Sequence, residues 1–340
     1  MLINAYCTHK DPPPLVFPHT LHNRRDASDP ELAGHLNGFM GFVMGGGNRP
    51  MTAMRYAVIR HLERVRHQLA FEIEESELNA FAEWAYEANA IVFLPDGTVR
   101  APDGAVLVDP ETGEPEAEAE VPHPPGAVKR KSEIDTRLAE LGIAVPPILP
   151  PVIDETEVDL RSAADVARRC VALFACAVRA ESIASKNDLP AAEIEKRLPL
   201  AAAALTPSER AFFYVKKPPE QDVVNHVWRY ESLNLLAWSL GLVTELPLPT
   251  KLCDVPALAK IMMERGSQSF VDGAWLRPTG EILDALDLHF RLHWATTDAR
   301  LKNTAAPAGL DGGVVLERHY ALNWLVHFEN ADWDDVDTPT

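Results

Sequence analysis

From Val65 onward, Val65, His67, Leu69, Phe71 and Ile73 alternate with Arg66, Gln68, Ala70 and Glu72, the period of a half-buried strand. Leu2–Cys7 reads as a second strand. Residues 30–44 read as a helix entered through Ser28 or Asp29 and stopped by Gly45, Gly46 and Gly47. Residues 76–88 read as another, with Leu78, Phe81, Ala82 and Ala85 on one face. Short strands are expected at 90–94, 98–100 and 105–108, separated by two Pro-Asp-Gly turns. A small antiparallel or mixed sheet with helices on one face follows for this N-terminal α/β unit.

Beyond it the periodicity changes to that of helices, expected at 132–141, 162–185, 191–198, 207–213, 222–240, 255–264, 279–302 and 314–328. Thr206 with Pro207 makes a strong helix start, and Gly241 a natural stop. The fold class expected is therefore α+β, a small N-terminal α/β unit followed by a mainly α-helical domain.

Several apolar faces carry charges. On the helix from Asp222, positions Val224, Trp228, Glu231, Leu235 and Trp238 recur at spacings of four and three, which puts Glu231 inside the stripe. Arg169 lies beside Val166 and Leu173, and Asp287 and Arg291 lie beside Phe290 and Trp294. Glu317 shares a face with Ala321 and Trp324, and Arg318 shares one with Leu322 and Leu325. An unpaired charge in such a place is costly, so each must be partnered, neutralised or at the lip of a cleft.

Composition adds a boundary. Asp109 to Glu120 holds six acids and no base among several prolines, so residues 109–131 read as an acidic Pro-rich linker between a unit at 1–108 and a helical domain at 132–340. The whole chain of 340 residues has a net charge of -18, shared as -7 over residues 1–131 and -11 over the rest. That balance argues against non-specific nucleic-acid binding. Four scattered cysteines make neither a disulfide framework nor a zinc ribbon, no stretch reads as a signal peptide, and no apolar run approaches a membrane span. A cytoplasmic home follows as the expectation. Six of seven tryptophans lie in the helical part and suggest an aromatic-rich core there.

The Arg-Lys-Ser-Glu start at 130–133, Ala-Arg-Arg at 167–169, Leu-Thr-Pro-Ser-Glu at 205–209 and Trp-Arg-Tyr-Glu-Ser-Leu-Asn-Leu-Leu-Ala-Trp-Ser-Leu-Gly at 228–241 form a recognisable series. It continues through Glu317-Arg318-His319, Leu322-Asn323-Trp324-Leu325 and the closing Trp-Asp-Asp-Val-Asp-Thr at 333–338. In these motifs the chain resembles the bacterial family called domain of unknown function 4272, over about residues 130–340. The resemblance implies a mainly helical domain and brings no established catalytic residues.

Two readings of the stripe charges stand side by side. In one, Arg169, Trp228, Glu231, Asp287, Arg291, Glu317 and Arg318 converge on a polar cleft, with Glu231 as acid/base and Arg169 or Arg291 as anion clamp. In the other, they are Arg-carboxylate bridges that fix helix registry. His289 and His293, at i,i+4, suit a metal only if His319 or Asp287 joins them; no metal site and no cofactor is expected. The Gly45–Gly47 run lacks a P-loop ending and reads as a loop. Cys170 and Cys176 lie among apolar residues and read as inert. The acids Glu329, Asp332, Asp334, Asp335 and Asp337 read as a solvated tail, unless Trp333 docks. The leading expectation is a non-enzymatic protein-binding role, of the immunity or accessory kind, toward a basic protein partner, with no nucleic acid and no membrane. The alternative is an enzyme or small-ligand binder using the polar cleft.

Overall fold

A computed structural model describes residues 1–265 and 268–340. The chain forms two compact units: Met1–Val128 with Ile153–Val158, and Lys129–Val152 with Asp159–Thr340.

The first unit is built on six strands: β1 (Leu2–Cys7), β2 (Thr20–Asp26), β3 (His67–Glu72), β4 (Ala90–Phe93), β5 (Val99–Arg100) and β6 (Val106–Val108). Their order is β2-β3-β1-β4-β5-β6, and every pairing is antiparallel. Its helices are α1 (Pro30–Val43), α2 (Ala53–Glu63) and α3 (Leu78–Glu87). Asp29 caps α1 by accepting the Glu31 N–H.

Helices cover both faces of this sheet, which corrects the one-face expectation. The two-residue period of β1 explains it. Tyr6 joins Leu32, Leu36 and Phe39 of α1 and Val58 and Leu62 of α2 in one core. Ile3, Ala5 and Cys7 project to the opposite face, against Phe81, Trp84 and Ala85 of α3.

Residues 109–124 form no helix or strand, yet they hold specific contacts in this unit. Ala119 and Val121 enter the first core. The buried Arg55 donates to the Gly113 carbonyl at 2.9 Å and pairs with Glu114 at 3.1 Å, while Arg49 donates to the Pro110 carbonyl. Arg49 therefore secures this loop instead of equipping Gly45–Gly47, a single tight turn in which all three glycines have positive φ. Residues 153–158 complete the unit. Glu157, wholly buried, meets Arg64 at 3.4 Å and its carbonyl accepts from Arg66, while Lys10 donates to Val158 at 2.7 Å.

Helix α4 (Pro125–Glu140) begins seven residues before the expected start, and its residues from Lys129 onward belong to the second unit. The rest of that unit comprises α5 (Ala163–Ala184), α6 (Ala191–Arg197), α7 (Ala201–Ala204), α8 (Pro207–Tyr214), α9 (Glu220–Ser239), α10 (Val255–Arg265), α11 (Gln268–Asp272), α12 (Thr279–Leu301) and α13 (Gly312–Leu325). Helix α5 is its axis: every residue from 169 to 177 is buried, so no solvent face exists along that stretch. Thr206 and Glu209 close a capping box on α8, as the Thr-Pro-Ser-Glu run anticipates. The tryptophans do not make one core: Trp238, Trp324 and Trp333 are buried, Trp228 and Trp294 are half-buried and Trp275 is exposed. The whole is α+β, an antiparallel sheet unit and a mainly helical remainder, and no described helix is long and apolar enough to cross a membrane.

Candidate functional site

Burial of the stripe charges is the first result. Arg169, Glu231, Asp287, Arg291 and Arg318 are each at most 5% exposed, so the helical period located them correctly inside the second unit. Val224, which begins the same stripe, is exposed, and its neighbour Val223 is buried in its place.

Arg169 on α5 donates to the carboxylate of Glu209 on α8, which also accepts the Thr206 N–H at 3.0 Å through the capping box. One carboxylate thus ends a helix and neutralises a buried arginine. The guanidinium of Arg169 also stacks beside Trp333. Arg229 approaches the same indole and lies over Tyr320 at 4.7 Å, and it pairs with Glu317 at 3.1 Å. Ser232 donates its hydroxyl to Glu317 at 2.5 Å. Trp333 packs edge-on against Tyr320 and Trp324, and its carbonyl accepts from the Tyr320 hydroxyl. Next to it, Asp334 accepts from Thr206 Oγ1 at 2.7 Å and from Ser208 N at 3.0 Å. Trp333 is docked, and the solvated-tail expectation does not hold for it.

Glu231 and Arg318 form a second partnership. Glu231 Oε1 accepts the Cys253 N–H at 2.5 Å, and its other oxygen lies 3.6 Å from Arg318 Nε. Arg318 also donates to the Pro247 carbonyl at 2.7 Å. Burial, reinforced by the charge of Glu231, pushes the Cys253 thiol up to about 12. Burial likewise raises Cys170 and Cys176 far above physiological pH, so these thiols are inert. Along the α9–α13 seam the two pairs alternate in polarity, Arg229 with Glu317 and Glu231 with Arg318. A slip of either helix would separate both pairs and strand their buried charges, so the arrangement selects one register.

The third partnership is Asp287 with Arg291, one turn apart on α12 and both wholly buried, at 2.9 Å. Arg291 reaches Asp135 of α4 at 3.3 Å, and Arg130 pairs with Asp284 at 2.9 Å, so α4 is fastened to α12 by charge. Burial raises the Asp287 carboxyl to about 6 against the opposing pull of Arg291.

Trp228 belongs to none of these pairs. Its ring lies on Gly313, in the first turn of α13, where an added Cβ would sit 2.6 Å from the indole. Gly313 lines a cleft of about 710 Å³ between the C-terminal half of α12 and the start of α13. None of the seven expected site residues lines that cleft; His293, Thr297, Arg300 and Asn303 do. The signal of the first three in the sequence was a polar face on α12, one that any solvated helix surface also shows.

The histidines diverge. His289 donates Nδ1–H to the Ala285 carbonyl at 2.7 Å within its own helix, whereas His293 Nδ1 faces His319 Nδ1 at 3.0 Å. Burial depresses the basicity of all three. Among the described residues no group of three His, Cys, Asp or Glu side chains is placed to hold a metal ion.

The second unit is thus a helical domain built round a buried α5, with arginine-carboxylate pairs tying α4, α8, α9, α12 and α13 together. Residues 130–336 match the model of the family described as Domain of unknown function (DUF4272), and the chain belongs to that family. No curated protein and no solved structure matches it.

Proposed function

We propose that the protein acts by binding a basic protein partner, without catalysis, in an accessory or immunity-like role in the cytoplasm. The supporting observation is the anchored acidic segment around Trp333. Trp333 and Val336 are buried while Asp332, Asp334, Asp335 and Asp337 remain exposed, so the carboxylates stand on a backbone already held in place. Asp335 has no basic partner among the described residues, and Asp332 meets only the charge of Arg161. Preorganised charge of this kind costs little ordering entropy on association and speeds encounter with an opposite charge. The arginines that would equip an acid/base site instead spend their charge on Glu209, Glu231, Asp287 and Glu317.

Co-purification from a lysate of the source organism, comparing the wild type with the Asp332→Asn/Asp335→Asn variant at low and high salt, tests this reading. A basic protein retained by the wild type, released by salt and lost with the variant is the expected result. No retained protein, or equal retention by the variant, would overturn it.

A further inference from the structure

The α12–α13 cleft plays no part in that reading, and its chemistry has the opposite sign. At about 710 Å³ it has the capacity of a small-molecule site. Thr296, Thr297 and Arg300 follow His293 at intervals of three and four, so the first half of one wall is a single helix face. Asn303 continues that wall beyond the end of the helix, and Leu316 of α13 stands opposite.

Three features distinguish it from an ordinary surface groove. Eleven residues line it and none is Asp or Glu, although the chain carries 50 acids to 32 bases. The side chain of Arg300 makes no ion pair or hydrogen bond among the described residues, whereas the more enclosed Arg169, Arg229, Arg291 and Arg318 of the same unit are all engaged. The walls are also braced from behind. Trp228 fills the space over Gly313, and His293 is held through Nδ1 by His319, which leaves Nε2 as its remaining ring nitrogen.

We propose that this cleft binds a small organic anion with an apolar body. Arg300 takes the anionic group in a charge-assisted fork, Thr297 and Asn303 add neutral donors, and Leu316 with the neighbouring alanines Ala299 and Ala306 receives the apolar part. The shared chemistry is an oxyanion, carboxylate or phosphate.

Titration calorimetry on the full chain with benzoate, phenyl phosphate and the neutral benzamide tests it. The expected result is saturable binding of at least one anion, with benzamide weaker by about tenfold or more. Arg300→Gln should weaken the anion by a similar factor and leave thermal unfolding unchanged, because the side chain is exposed and unpaired. Asn303→Gly, which removes the side-chain donor but keeps the left-handed backbone of that position, should weaken it more modestly. The tighter anion of the two assigns carboxylate or phosphate. Failure of both anions to bind, equal binding of benzamide, or unaltered affinity in Arg300→Gln would each overturn the proposal, while leaving the partner reading untouched.

Discussion

The guanidinium carbon of Arg169 lies 5.1 Å from the centre of the Trp333 ring, and that of Arg229 lies 5.6 Å from the same ring. Two arginines separated by 60 positions are thereby shielded by one indole near the end of the chain. Each also has its own carboxylate, Glu209 or Glu317.

Trp333→Ala is therefore expected to cost about 3–5 kcal/mol, the usual range for removing a buried indole. Urea unfolding of the full chain measures it. A loss below about 1 kcal/mol would show that the ring contributes little to the folded state.

Glu231→Ala should be as severe, about 3–5 kcal/mol, because Arg318 would keep its charge in an almost fully buried site. The double variant Glu231→Leu/Arg318→Met should regain part of that loss, since no charge then stays buried, although the Cys253 N–H and the Pro247 carbonyl lose these partners. A double-mutant cycle in denaturant decides; simple additivity would mean that the pair is not coupled.

The carboxyl of Asp287 gives stability a pH dependence with a definite sign. Its folded value, about 6, lies above that of an unfolded aspartate, near 3.9, so the folded protein holds this proton more tightly. Its contribution is fully present below about pH 4 and is lost as pH rises through about 6, by roughly 3 kcal/mol in all. The stability difference between the wild type and Asp287→Asn, measured at pH 4 and pH 7, should change by that amount in favour of the variant at the higher pH. A constant difference would contradict the elevated value.

Gly313→Ala should destabilise by about 1–3 kcal/mol, although alanine is the better helix former, because the new methyl group meets the Trp228 ring. In a Trp228→Leu background the same change should become neutral or stabilising. Thermal unfolding of the four proteins separates the two contributions.

Local chemistry explains which elements could be read in advance. The stretch of β3 alternates apolar with polar positions, and α8 announces itself through Thr206, Pro207 and Glu209, all within four positions. β2 escaped because it is an edge strand with only one neighbour, and its Thr-Leu-His-Asn-Arg-Arg-Asp run has no apolar face to alternate. α2 escaped because two of its four buried positions are Arg55 and His61, whose burial depends on remote carbonyls at Gly113 and Tyr6. The stripe charges were legible as buried groups, but their partners were not. Glu209 already had a role as a helix cap, and Cys253 reaches Glu231 through its backbone, which carries no residue signature. The separation of the charges into distinct pairs is tertiary information, as is the opposition of α12 to Gly313 across the cleft.

The return of residues 153–158 to the sheet unit has a consequence for biosynthesis. As the chain emerges from the ribosome, the sheet unit stays incomplete while residues 129–152, which belong to the other unit, are made. Only when Glu157 appears can Arg64 reach its carboxylate and Arg66 its carbonyl. The maturation of the two units is therefore interleaved in time, and a cut at any single peptide bond between 128 and 159 leaves at least one of them without part of its own chain.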